Sequence, residues 1–209
     1  DQYRGALLET TRATGSVLRQ EHPPDRAELQ PSTRISARWQ PTGRFAWRCD
    51  LHTGARFPTL NELYRPFRVG AVTTAANPNL RPEDVRGLSS GISYTFPDQT
   101  ELHARFFFDR VNRAIANVTS GPNTLQRNNL DATEVQGIEL RASRHIDDHV
   151  SIDGAYSFTD STVTRARNAP HLQGRSLPQV PSHAASLAVR TRWDRMGWTV
   201  QGRWTSASW

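Results

Sequence analysis

The sequence contains no lysine. All 26 of its strongly basic residues are arginine, set against 20 carboxylates, for a formal charge of +6. Arginine stays charged at any accessible pH, so this basicity is permanent. An excess of that size is ordinary for a solvated face and does not by itself demand a nucleic-acid partner. A single cysteine, Cys49, excludes an internal disulfide and a cysteine metal cluster. No run of 18 or more apolar residues is present, which excludes a membrane helix. There is no glycine-rich phosphate loop, no nucleophile elbow and no ordered Ser/His/Asp triad, so no enzyme is indicated. Nothing calls for a resident cofactor or metal. The chain opens on DQYRG without an initiator Met or a signal-peptide core and closes on GRWTSASW. We therefore expect a piece of a longer polypeptide.

What is present is period two. In RFAWRCDLHT, residues 44–53, Phe45, Trp47, Cys49 and Leu51 fall on one side, and Arg44, Arg48, Asp50 and His52 on the other. The same alternation marks 34–40, 87–96, 101–109, 150–158, 185–193 and 198–204, and more weakly 137–143. Phe107 breaks the pattern in its segment. A further hairpin is expected over 3–22, turning at ATGS.

The connections alternate too. Short links (PTG after Trp39, PDQ after Phe96, DDH at 147–149, DRMG between Trp193 and Trp198) take turns with long ones at about 54–84, 118–131 and 159–181. This is an antiparallel up-and-down meander with every long loop at one end. Trp39, Phe45, Phe96, Trp193 and Trp198 cluster beside the short turns, as an interfacial girdle does. The polar faces carry Arg, Asp and His in mid-strand. A soluble sandwich must pair its apolar faces into a core, whereas a membrane barrel puts lipid outside and water inside. The pattern favours an all-β transmembrane barrel. HIDDH at 145–149 has metal-like spacing on a helix, but the flanking alternation makes it a tight turn, which Asp favours. The arginines alternate with lipid-suited residues and do not cluster with exposed aromatics, which argues against nucleic acid.

Four segments in order then resemble one family. TGARFPTLNELYRPF at 53–67 with NPNLRPE at 77–83, GIEL at 137–140, Asp160-Ser161, and GRSLPQVPSH at 174–183 are similar to segments of TonB-dependent outer-membrane receptors. The likeness covers roughly 30–209. One departure is Ala55-Arg56-Phe57 where the family has Phe-Arg-Ala before the proline. The resemblance implies a bacterial outer-membrane barrel of about 22 strands around a plug domain. Residues 1–209 would supply eight to ten of those strands, with the plug and the final strands absent. It implies import of a scarce ligand such as a ferric siderophore or cobalamin, and as partners outer-membrane lipid, that small ligand, the receptor's own plug, and TonB. The loop motif either returns the chain tidily to the wall or touches ligand through Arg56, Tyr64, Arg65, Phe67 and Arg68. No His lies between Pro58 and Asn77, which weighs against haem. Lumen arginines (Arg34, Arg38, Arg44, Arg48, Arg105, Arg190, Arg192, Arg203) would draw an anionic ligand or meet acidic plug residues. The alternative is a complete small barrel with a structural or adhesion role, recognised by strand 34–40 pairing with 198–208.

Overall fold

The computed structural model describes residues 2–3, 7–10, 17–21 and 26–208. Its strands are β1 (Gln2–Tyr3), β2 (Leu7–Thr10), β3 (Val17–Glu21), β4 (Arg26–Ala27), β5 (Thr33–Trp39) and β6 (Phe45–Arg56). After helix α1 (Leu60–Tyr64) come β7 (Phe67–Val69), β8 (Val72–Ala75), β9 (Glu83–Thr95), β10 (Glu101–Asn112), β11 (Ile115–Gly121) and β12 (Thr124–Asn129). The chain continues with β13 (Ala132–His145), β14 (Val150–Arg165), a 3-10 turn at Pro170–Leu172, β15 (His183–Trp193) and β16 (Met196–Thr205). β2 and β3 pair as the expected hairpin, whose ATGS turn lies outside the described residues.

One sheet of eight strands forms the wall, in the order β16-β15-β14-β13-β10-β9-β6-β5 with every pair antiparallel. These are the eight strands read from the sequence. They run further at the long-loop end than the alternation reaches: β6 to Arg56, β14 to Arg165, β9 from Glu83. The first and third loops shrink accordingly to 57–82 and 166–182, while the second, 113–131, begins earlier than expected and carries β11 and β12. Beyond the lipid span the outward positions become polar (Thr53, Arg86, Arg110, Glu134), so the apolar signal stops while the ladder continues.

Following the register across the wall gives the row Trp39, Trp47, Ile92, Ala104, Leu140, Tyr156, Ala185, Trp204. The row starts at the short-turn end of β5 and finishes near the opposite end of β16. Strand ends are therefore staggered steadily, which is the tilt a barrel requires. β5 and β16 do not pair, so the sheet is an open arc and the eight-stranded closure is not formed.

The two faces differ sharply. Ile35, Leu51, Ile92, Phe106, Leu140, Leu187, Trp198 and Val200 stand exposed on the convex face. The concave face bounds a trough of about 1020 Å³ lined by Arg38, Arg48, Asp50, Arg105, Glu139 and Arg190 among others. Val118, Leu130, Val163, Ala166 and Ala169 form a buried cluster at the long-loop end instead of under the wall. An apolar convex face with no core beneath it needs lipid as its solvent, and the ladder leaves no wall strand but the two edges with unpaired backbone. Trp47 follows the same rule on that face, donating its indole N–H to Ser90 Oγ at 3.0 Å.

Phe107 points inward over Gly137, its Cζ 2.7 Å from where a Cβ would stand. The ring covers a bare stretch of strand, which explains the break in alternation. Arg105 lies 5.7 Å from the same ring centroid. At the short-turn end Trp39 meets Phe45 edge-on at 6.1 Å. HIDDH is a turn: Asp147 Oδ1 accepts from the His149 and Val150 N–H groups, each at 2.8 Å. Tyr156, whose hydroxyl lies 2.8 Å from His183 Nδ1, together with Phe158 and Trp204, forms a second aromatic group toward the long-loop end.

Candidate functional site

The stretch from Arg56 to Glu83 is held by its own polar residues. Pro58 keeps the chain extended into Thr59, which caps α1. Thr59 and Glu62 form a reciprocal capping box: the Glu62 N–H donates to Thr59 Oγ1 at 3.2 Å, and the Thr59 N–H to Glu62 Oε2 at 2.8 Å. Leu63, on the inner side of α1, and Leu80 are fully buried. Arg56 clamps both ends of the loop. Its Nε and Nη2 donate to Glu83 at 2.6 and 2.9 Å, and its Nη1 reaches Glu62 at 3.1 Å. Burial pushes the Glu62 carboxyl up, but the Thr59 N–H and the Arg56 guanidinium outweigh it and hold the group below its ordinary range.

The NPNL motif is a second clamp. Asn77 Oδ1 accepts from the Asn79 N–H at 3.0 Å, an Asx turn across Pro78. Its N–H donates to the Glu62 carbonyl at 3.0 Å, and its Nδ2 to the Arg127 carbonyl at 2.8 Å. Asn129 mirrors this by accepting from the Arg81 N–H and donating to the Arg81 carbonyl, both at 2.9 Å. A small sheet, β11-β12-β8-β7, joins the loops, with β8 lying parallel to β12. The hairpin of β7 and β8 turns through Gly70 at φ +59°, where a side chain would be strained. The third loop is tied on by Arg167, whose Nη2 and N–H each donate to Asp131 at 2.7 Å. That pairing, the guanidinium first and the N–H second, holds the Asp131 carboxyl below its usual range. The three long loops thus form one packed layer.

Of the five residues expected at a ligand, Arg65, Phe67 and Arg68 are exposed and Tyr64 is half-buried beside them at the end of α1. Arg68 Nε donates to the Gly70 carbonyl at 2.9 Å. Arg56 stands apart, its guanidinium occupied by Glu62 and Glu83. Sequence reasoning missed Arg127, which lies in a different loop with its Cζ 5.0 Å from the Phe67 ring centroid. In the trough, Arg48 pairs with Asp50 at 2.8 Å and Arg105 with Glu139 at 3.3 Å, and Arg190 pairs with Asp153. His52 Nε2 lies 3.2 Å from Asp109 Oδ1 across Gly87. Among the described residues no group of three or more His, Cys, Asp or Glu is placed to hold a metal ion.

Comparison with known proteins agrees with this architecture. The family model for the TonB-dependent receptor-like β-barrel matches residues 8–209. An iron-regulated outer membrane virulence protein of Vibrio cholerae is 27% identical, over 79% of this chain and 27% of its own length. The chain therefore spans about a quarter of that relative. Among solved structures, the copper transporter OprC superposes with a TM-score of 0.68 at 19% identity, covering 86% of this chain and 26% of that one. The Serratia marcescens hemophore receptor HasR, solved with its hemophore and heme, gives 0.69 at 15% identity, covering 99% of this chain and 39% of that one. These two likenesses show the fold. With the model matched over nearly the whole chain, the protein belongs to the TonB-dependent receptor family, as part of its outer-membrane β-barrel.

Proposed function

We propose that this chain is the part of an importing receptor's wall that carries an extracellular entrance for an anionic ligand, a ferric siderophore ahead of cobalamin. One observation carries the reading: charge is distributed unevenly between the two ends. The long loops hold Arg65, Arg68, Arg81, Arg113, Arg127, Arg167 and Arg175 against only Glu62 and Asp131. Both carboxylates are already engaged by arginines, so the layer keeps a cationic surplus. The short links hold Arg44 and Arg195 against Asp98, Asp147, Asp148 and Asp194. A cationic mouth raises the local concentration of anions and speeds their capture. The iron-regulated relative fits a metal-chelate ligand. In this reading Tyr64, Arg65, Phe67 and Arg68 meet the ligand, and Arg56 keeps their loop in place. The plug and the TonB contact belong to other parts of the receptor, and no enzymatic step is involved.

The test is ferric-chelate binding by the full-length receptor with Arg65→Gln and Arg68→Gln together. Loss of two rim cations is expected to slow association about tenfold at low salt and to flatten its salt dependence. Unchanged association at every ionic strength would remove these residues from the entrance.

A further inference from the structure

We propose that Arg127, from the loop between β10 and β13, is the positioning residue of the entrance that Tyr64–Arg68 forms, and that it lends this entrance a buried positive charge. The inference rests on the ligand reading above and goes beyond it in naming what holds the site.

Arg127 is 9% exposed. Its Nη1 donates to the carbonyls of Asn61 and Arg65, the latter at 3.2 Å. Asn61 O also accepts the Arg65 N–H that closes α1, so the guanidinium braces the carbonyl of that closing bond and the carbonyl just past the helix end. The same guanidinium lies against the Phe67 ring. One side chain thus fixes the backbone on both sides of Arg65 and the first residue of β7. The Arg127 main-chain carbonyl is itself held by Asn77 at 2.8 Å, so the brace has a fixed base.

Its surroundings are as informative as its contacts. Among the described residues no carboxylate lies within ion-pair distance of Arg127, whereas Arg56 has two and Arg167 one. A neutral donor would bridge two carbonyls without the cost of desolvating a charge. A guanidinium without a counter-ion at this depth is costly in the free protein, and an anion bound over Arg65 and Arg68 offsets that cost. Lysine cannot replace it fully, because it lacks the planar fork that bridges two carbonyls and stacks on a ring.

The test uses the full-length receptor with Arg127→Gln and Arg127→Lys, each confirmed as folded by heat-modifiable migration. Trypsin nicking at the Arg68–Val69 bond reads the order of β7 without any ligand. Arg127→Gln is expected to speed nicking about tenfold, with Arg127→Lys between it and wild type. Ferric citrate and an uncharged ferric tris-hydroxamate then serve as probes. Ferric citrate affinity is expected to fall about tenfold in Arg127→Gln and less in Arg127→Lys, with the uncharged chelate little affected. Nicking at the wild-type rate in both variants would overturn the positioning role. Equal losses for both probes would overturn the charge role. Accelerated nicking in a receptor whose wild type binds neither probe would leave the brace standing and remove the ligand reading instead.

Discussion

Gly137→Ala is expected to destabilise the wall by about 3 kcal/mol, the upper end of the usual cost of overpacking. An added Cβ would stand 2.1 Å from the Phe158 carbonyl oxygen on β14 and 2.7 Å from Phe107 Cζ. The ring can swing away, but the carbonyl belongs to the neighbouring strand's ladder and cannot move without breaking it. Phe107→Ala added to Gly137→Ala is therefore expected not to rescue. Two other glycines set the scale. At Gly87 the three atoms nearest the added one all belong to the Asp109 and His52 side chains, which can turn aside, so a smaller loss is expected. At Gly202 nothing lies within 4 Å, and alanine is expected to be neutral. Urea unfolding of the receptor in lipid vesicles measures all three. If Gly137→Ala unfolds with Gly202→Ala, the close approach of β13 to β14 is not real.

Arg56→Met is the second large effect, and it falls on the loop and not the wall. The change strands Glu62 and Glu83, whose side chains are only 19% and 12% exposed, without their cation. Breaking a fully buried pair costs more, but Arg56 is itself 44% exposed and screened, so about 2 kcal/mol is the reasonable scale. The loss is expected as roughly 30-fold faster hydrogen exchange at the Leu63 and Arg65 amides, which close α1. Acid is expected to do the same to the unmodified protein. Glu62 is held below its ordinary range when folded. Its contribution is complete above the unfolded value of about 4 and disappears as pH falls through the lower folded one. With Arg56→Met the loosening should begin at a higher pH. Unchanged exchange in the variant would mean the clamp holds nothing.

The wall was legible because each of its faces has one solvent. Lipid outside and water inside give Trp47, Cys49 and Leu51 one side, and Arg48, Asp50 and His52 the other. Where the outer solvent changes, so does the signal: Arg86 and Arg110 continue the ladder invisibly to an alternation count. The capping box was present in the sequence as Thr59-x-x-Glu62, at the start of the helix Leu60–Tyr64 that it caps. The loop sheet was not legible. β7 and β8 have three and four residues, and β8 finds its parallel partner in β12 some fifty positions away, a pairing that local pattern does not encode. Arg127 was hidden for the same reason, since TLQRNN gives no hint that its arginine faces inward onto another loop's helix. The lumen arginines were placed correctly where Arg34, Arg38, Arg48, Arg105 and Arg190 line the trough, while Arg44 lies in the turn before β6.

The most direct test is which solvent touches each face of β13. Single cysteines replace Leu140 and its neighbour Arg141 in a Cys49→Ser background, and each carries a spin label in the receptor reconstituted into lipid. If the convex face lies in the outer membrane, the label at 140 meets oxygen dissolved in the bilayer and is shielded from an aqueous nickel chelate. The label at 141 then shows the reverse. Free access of the chelate to position 140 would contradict the membrane wall and every statement about the entrance built on it.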